Sequence, residues 1–246
     1  MPDRRFLTTL TATLLVALGA SLPSAAQADI LEALDRLRIA EGDVRVMTEV
    51  TLYEHDEATR QTVYEVYAGS DRRSLAIARG ARDDGQKVLM LDDQFYLFMP
   101  DSRRQIRITP MQRLLGEAST GDISSLRWSE DYTLANRDAL GDGRDQLTLE
   151  AARSGLSYQR LELVITERQE RWIPLSATFY LPSGRVAKEA TFEVEEDAVG
   201  ELRLTAMVLQ DRIQDHKRTV IRYLSVEPHD IPESWFNPAF LLRNTL

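Results

Sequence analysis

Residues 88–99 read VLMLDDQFYLFM, two apolar runs separated by the turn Asp92-Asp93-Gln94. Each run is apolar at successive positions, so a strand built from it is apolar on both of its faces. Such a strand needs cover on both sides, from a core on one side and from a lid or a ligand on the other. The stretch therefore predicts a β-hairpin whose sheet has apolar surface beyond what one core can bury.

Strand-like segments continue on both sides of this hairpin. They occupy 44–53, 61–68, 73–79, 87–91, 95–99, 105–108, 131–136, 145–151, 158–167, 172–181, 185–195, 201–210 and 217–226. Short Gly, Pro, Asp and Ser turns separate most of them, a spacing typical of an antiparallel meander. We predict a mainly β protein with a single curved antiparallel sheet of about 11–12 strands, as a closed or a half-open β-barrel covered by short helices.

Three helical segments accompany these strands. An amphipathic pattern over 29–39 and an aromatic-rich segment over 232–243 predict helices near the two ends. Between the two series of strands, 110–115 begins with Pro and is followed by Gly, which predicts one or two helical turns. We expect this central segment to form a lid, lined by Met111, Leu114 and Leu115.

The N-terminal sequence predicts export. Two arginines precede an apolar stretch over 6–22, and Ala-Gln-Ala follows at 26–28, the small-x-small pattern of a signal peptidase site. We expect 1–28 to be removed as a signal peptide and 29–246 to form one soluble periplasmic domain. The chain has no cysteine, which excludes disulfides, a lipid-anchoring cysteine and thiolate catalysis.

Charge and motif content exclude several functions. The formal net charge is -9, which argues against nucleic acid as a partner. The three histidines do not have metal-ligand spacing, and the sequence holds no nucleophile elbow or phosphate loop. We expect a monomer without cofactor, metal or catalytic residues. Arginines at 103, 104 and 107 follow a turn and fit either a solvent-facing hairpin or a site for a ligand headgroup or a partner.

A resemblance to a known family rests on three segments. They are SLAI at 74–77, KVLML at 87–91 and FYLFMPDSRRQIRI at 95–108, and the sequence IPESWFN at 231–237 is also similar. The chain resembles the outer-membrane lipoprotein-sorting protein family, relatives of the periplasmic lipoprotein carrier LolA. The resemblance implies an unclosed barrel plugged by helices that shields acyl chains of a lipoprotein or lipid during transfer toward the outer membrane. It also implies an inner-membrane permease as a partner and no catalytic residues.

Strand alternation selects the side chains expected to line a hydrophobic cavity, although a slip of one residue exchanges the two faces. They are Leu52, Leu75, Ile77, Met90, Phe95, Leu97, Met99, Leu163, Phe179, Phe192 and Leu204. The leading hypothesis is a carrier that binds acyl chains there. The alternatives are an accessory or signalling module that binds an export permease, with the cavity as a lipid sensor, and a hydrolase, for which a nucleophile and base are missing.

Overall fold

A computed structural model describes residues 24–39, 42–69, 71–80, 83–100, 102, 104–109, 113–115, 118–119, 127–213, 216–244 and 246. Side chains are described from Ile30 onward in the first helix and are not described at 113–115 and 118–119. Three short α-helices and one 3₁₀ helix accompany the strands in this part of the chain. The helices are α1 (Ser24–Arg38), α2 (Trp128–Asp131), the 3₁₀ helix Glu233–Phe236 and α3 (Pro238–Leu241).

Fifteen strands are present in the described residues. They are β1 (Val44–Glu54), β2 (Glu57–Ala68), β3 (Arg73–Arg79), β4 (Lys87–Leu91), β5 (Gln94–Phe98), β6 (Gln105–Ile108), β7 (Arg113–Leu115), β8 (Ala118–Ser119), β9 (Tyr132–Gly141), β10 (Arg144–Ala151), β11 (Arg160–Arg168), β12 (Arg171–Tyr180), β13 (Val186–Glu196), β14 (Leu202–Asp211) and β15 (Lys217–Pro228).

Thirteen of these strands form one antiparallel sheet that does not close into a barrel. Its order is β6-β5-β4-β3-β2-β1-β15-β14-β13-β12-β11-β10-β9, so two meanders are joined by the pairing of β1 with β15. The predicted mainly β fold and half-open sheet are confirmed. The open side lies between the edge strands β6 and β9.

Helix α1 packs on one face of the sheet, which we call the inner face. It contacts β12 and β14, and it buries Ile30, Leu31 and Leu34 in a core with residues such as Leu163 and Leu209. Leu34, Leu163 and Leu209 are fully buried. The amphipathic pattern at 29–39 therefore identified this helix, because its apolar stripe faces the sheet.

Asp35 ties α1 to the start of α2, far away in sequence. Its carboxylate accepts hydrogen bonds from the backbone N–H groups of Trp128 at 3.0 Å and Ser129 at 2.8 Å, and from the Ser129 hydroxyl at 2.7 Å. It also pairs with Arg38 at 3.2 Å, whose guanidinium lies 3.8 Å from the centroid of the Trp128 ring. A carboxylate at this position satisfies the first free N–H groups of α2, which has no capping side chain of its own.

An ionic cluster joins the two meanders on the open side. Buried Asp131 at the end of α2 accepts from Arg153 at 2.8 Å and from Arg72 at 3.4 Å. Arg153 also binds Asp93 at 2.8 Å, and its hydrogen bond lowers the pKa of that carboxyl below its ordinary value. Arg72 lies between β2 and β3 and Asp93 between β4 and β5, whereas Arg153 follows β10. We call these four residues the clasp.

The predicted central helix is wrong. Arg113–Leu115 forms strand β7, which pairs with β8 in a separate two-stranded sheet. Leu114 and Leu115 thus have extended backbone, and Met111 lies outside the described residues. The segment between the proline and the glycine is too short to form a stable helix. Ordering a single turn loses more conformational entropy than its one hydrogen bond offsets. Arg113–Leu115, the described part of this segment, is instead extended and paired.

Helix α2 and strand β8 were not predicted from the sequence, whereas the other strands match the predictions apart from their ends. β2 begins at Glu57 instead of 61, and β9 continues to Gly141 instead of ending at 136. The predicted C-terminal helix at 232–243 consists of the 3₁₀ helix and α3. Asn237 separates the two, and its side chain caps α3 by accepting from the Ala239 N–H at 2.9 Å.

We predict that Asp35→Ala lowers the free energy of unfolding by about 3 kcal/mol, because it leaves the Arg38 charge and the α2 N–H groups without their acceptor. Urea denaturation followed by Trp fluorescence measures the change. Glu32→Ala is the matched control, since Glu32 pairs with Arg36 at 3.8 Å on the exposed side of the same helix. Equal, small effects of the two substitutions would contradict the role given to Asp35.

Candidate ligand-binding surface

A second apolar surface covers the inner face of β3 to β6. We call it the inner wall and define it by Ala76, Val88, Met90, Phe95, Leu97 and Ile108. Direct register pairs place them on one face, since Ala76 pairs with Val88, Met90 with Phe95, and Phe95 with Ile108. Met90, Phe95 and Ile108 are buried, whereas Ala76 and Leu97 are half-buried.

The inner wall is continuous with the core beneath α1. Ala76 packs against both groups, and its register partner Val66 on β2 is half-buried at the margin of the core. Helix α1 contacts β12 and β14 in the opposite half of the sheet. One inner face therefore has two parts, a half filled by α1 and a half formed by the inner wall.

The inner wall is uncharged. The inner-face positions of β3, β4 and β5 are Ser74, Ala76, Ala78, Val88, Met90, Phe95 and Leu97. At its border on β2, burial raises the pKa of Tyr64 to about 12, and the nearby Arg60 charge offsets only part of that rise. Tyr64 therefore stays neutral at physiological pH, and the surface suits an apolar ligand.

Three of the predicted cavity residues lie on the inner wall, namely Met90, Phe95 and Leu97. Five others lie on the α1-covered half: Leu163, Phe179 and Phe192 are buried in its core, and Leu52 and Leu204 are half-buried at its margin. The predicted inward orientation of these eight agrees with the structure. Their role in binding a ligand stays a prediction.

Leu75 and Ile77 are corrections, because both lie on the opposite face, which we call the outer face. Leu75 pairs with Tyr67 and Leu89, and all three lie with Ile77 in a cluster that includes Phe236 from the C-terminal segment. β3 is apolar at successive positions, so alternation alone selected the wrong set. Met99 lies just beyond the end of β5 and is 42% exposed, so it does not continue the alternation of that strand.

The C-terminal segment covers the outer face of β3 to β5. Phe236 and Leu241 are buried against this face. Lys87 donates to the Asn244 carbonyl oxygen at 3.2 Å, and burial lowers the pKa of Lys87 below its ordinary value. Residues 88–99 are thus apolar on both sides because one side faces this segment and the other belongs to the inner wall.

Sequence reasoning missed three inner-wall residues, Ala76, Val88 and Ile108. The strand register identifies them as inner-wall residues. Val88 lies on the same face of β4 as Met90, and Ile108 lies directly opposite Phe95. Once one residue of the wall is fixed, cross-strand pairing assigns the rest.

The described residues contain no group of three or more His, Asp or Glu side chains that could hold a metal ion. His55 and His216 stack with ring centroids 4.7 Å apart, and His216 lies 3.5 Å from Glu54. This exposed pair stands at the far end of β1, away from the clasp turns. In the described part of the chain, none of the helices has the length and apolarity of a membrane span.

An unclosed antiparallel sheet with a helix on half of its inner face and an apolar wall on the other half defines the class of half-open β-barrels. A LolA superfamily protein from Nitrosomonas europaea is similar to this chain, with 26% identity, a TM-score of 0.76 and coverage of 87% of this chain and 98% of that one. A putative outer-membrane lipoprotein-sorting domain from Vibrio parahaemolyticus and a DUF1329 family protein from Desulfovibrio piger each share 20% identity. Both have a TM-score of 0.71 and cover 90% of this chain and 100% of their own.

The structural neighbours of the chain are thus LolA superfamily and outer-membrane lipoprotein-sorting domain proteins. The chain belongs to the family whose model, described as an uncharacterized protein, matches residues 69–243. A search of the curated proteins found no match. The resemblance inferred from 74–108 is therefore confirmed.

We predict that Leu75→Ala destabilises the fold by about 3 kcal/mol through the cavity it leaves under the C-terminal segment. The folded variant should bind a fluorescent fatty acid as the parent protein does, because Leu75 faces away from the inner wall. Urea denaturation and probe titration at low temperature measure the two effects separately. A weakened probe affinity in fully folded Leu75→Ala would contradict the assignment of faces.

Proposed function

We propose that this protein is a periplasmic carrier that binds the acyl chains of a lipoprotein or lipid on the inner wall and transfers them toward the outer membrane. The observation that carries the proposal is the uncharged inner wall on the half of the inner face opposite α1. The likeness to a LolA superfamily protein, with 26% identity and a TM-score of 0.76, supports it.

Binding at such a site is driven by the transfer of the ligand's apolar acyl chain out of water. Burial of a methylene stabilises a complex by ~0.8 kcal/mol, so about ten buried methylenes contribute ~8 kcal/mol before the costs of association. The resulting affinity is moderate, which suits a carrier that must release its cargo. The proposal assigns no catalytic residue, cofactor or metal, and it includes an inner-membrane permease as a partner and a monomeric carrier.

Leu97 is the position at which we test the wall, because it is half-buried there and pairs with Val88 and Ile106. We expect Leu97→Glu to weaken binding of a fluorescent fatty acid at least tenfold, since it introduces an unpaired charge beside the buried chain. Leu224→Glu is the matched control. Leu224 is 54% exposed and has no register partner on β1.

Solvent extraction and mass spectrometry of protein purified from the periplasm complete this test. We expect acyl-containing material in the parent protein and in Leu224→Glu, and its loss in Leu97→Glu. Circular dichroism verifies folding, and Leu97→Gln replaces the first variant if that one does not fold. A parent protein that carries no lipid and takes up no probe overturns the carrier proposal.

Export is part of the proposal, with 1–28 as the signal peptide. The predicted cleavage point after Ala28 falls within α1. Among the α1 side chains that the structure describes, Ile30, Leu31 and Leu34 pack in the core, and all three follow this point. Removal of 1–28 therefore keeps the core contacts of these three residues.

We predict that the intact mass of the protein recovered from the periplasm corresponds to a chain starting at Asp29. Replacing Ala28 by a bulky residue, as in Ala28→Leu, should leave the leader attached and the protein in the membrane fraction. Ala40→Leu is the control, because it makes the same change of residue type outside the predicted cleavage site. A cytoplasmic protein of full length in both cases would contradict the export assignment.

A further inference from the structure

One apolar side chain from each of seven neighbouring strands lies in a single row across the inner face. Each member is the direct register partner of the next, from edge strand β6 through β5, β4, β3, β2 and β1 to β15. We call this set the cross-strand row, and it consists of Ile106, Leu97, Val88, Ala76, Val66, Val46 and Val226. Neighbouring strands lie ~4.8 Å apart, so the row extends over about 29 Å of the sheet.

The cross-strand row is more accessible than the inner-face residues on either side of it. Residues two positions away along the same strands form the two flanking rows. Of the seven members of the cross-strand row only Val88 is buried, and the other six are half-buried or exposed. The flanking rows contain buried side chains on both sides, namely Met90, Phe95 and Ile108 on β4 to β6 and Thr48, Tyr64 and Ala78 on β1 to β3. The cross-strand row therefore forms the floor of a groove that is one residue wide and runs across the strands.

The groove follows from the sizes of the side chains. The central members of the row are three valines and Ala76, whereas the flanking rows contain the larger Met90, Phe95 and Tyr64. Ala76 is the middle member, with three others on each side. A larger side chain at this position would divide the groove in two.

Both ends of the groove are open to solvent, and its floor is uncharged. Ile106 is 49% exposed on edge strand β6, and Val226 is 41% exposed on β15. Tyr64 and Tyr223, the two register partners of Thr48, are ionisable, but burial raises the pKa of both phenols above the ordinary value. These phenols are therefore neutral at physiological pH.

An uncharged groove of this width and length complements an extended hydrocarbon chain. One leaflet contributes about 15 Å of hydrocarbon to a bilayer, so the row is longer than the acyl chain of an ordinary membrane lipid. We infer that the cross-strand row is the binding path of a single linear acyl chain that lies across the strands, and that Ala76 keeps this path continuous. The inference rests on the proposed carrier function and adds the ligand class, which is lipids with long linear chains and not polycyclic lipids.

The test measures affinity as a function of chain length. Saturated fatty acids from decanoic to octadecanoic acid compete with a fluorescent fatty acid, below their micelle-forming concentrations. We expect the affinity of the parent protein to rise about fourfold with each added methylene over the whole series, as burial of that group predicts. In Ala76→Phe the rise should level off near the middle of the series. Octadecanoic acid should then bind this variant at least tenfold more weakly than the parent protein, with decanoic acid unchanged within about twofold.

Ala139→Phe is the matched control, because Ala139 is exposed on β9 in the other meander. It makes the same change of residue type and should keep the chain-length profile of the parent protein. Circular dichroism verifies folding. Val66→Phe, at the next member of the row, replaces Ala76→Phe if that variant does not fold.

Three results would contradict the inference or the proposal beneath it. Parallel chain-length profiles of the parent protein and Ala76→Phe would overturn the inference while leaving the carrier proposal intact. A sterol that displaces the probe as tightly as octadecanoic acid would also overturn it, since rigid fused rings do not fit a groove one residue wide. Failure of the probe and of every fatty acid to bind would overturn the carrier proposal itself.

Discussion

The pairing of β1 with β15 is the constraint on which the rest of the structure depends. It runs along the whole of β1, from Val44 opposite Pro228 to Glu54 opposite Lys217, and it joins the first strand of the chain to the last. All the other pairings in the large sheet join strands that are consecutive in the chain. Without it the chain would be two separate meanders, and the core beneath α1, which takes Val50 from β1 and Leu163 from β11, could not assemble.

A sheet joined at its centre has two free edges, and the clasp determines how far apart they stand at one end. Asp131 is 1% exposed and is paired with Arg153 of its own meander. The contacts of Asp131 with Arg72 and of Arg153 with Asp93 form only while the two meanders are together. The remaining part of the open side is bordered by β6 and β9, whose outer backbone groups have no ladder partner in the described sheet. In the described residues, the open side is thus fixed by the clasp at one end and bordered by free strand edges along the rest.

The sequence predicted the strands and the half-open sheet well, because one face of most strands is polar and alternation is then unambiguous. It failed where alternation is absent or the turn is unusual. Leu75 and Ile77 were assigned to the wrong face because the outer cover comes from Phe236, distant in sequence, and no local pattern reports it. The tight turn between β1 and β2 uses His55 and Asp56 at φ values of 51° and 64°, without the glycine that usually marks such a turn.

The same central junction determines the order in which the chain can fold. During synthesis β1 emerges first and can pair with β2 at once, but its other edge must wait until β15 has been made at the end of the chain. Until then the edge facing β15 exposes unpaired backbone groups beside Val50, which favours association with other extended chains. Folding is therefore completed only after nearly the whole polypeptide is available, and a truncated product would remain a substrate for chaperones and proteases.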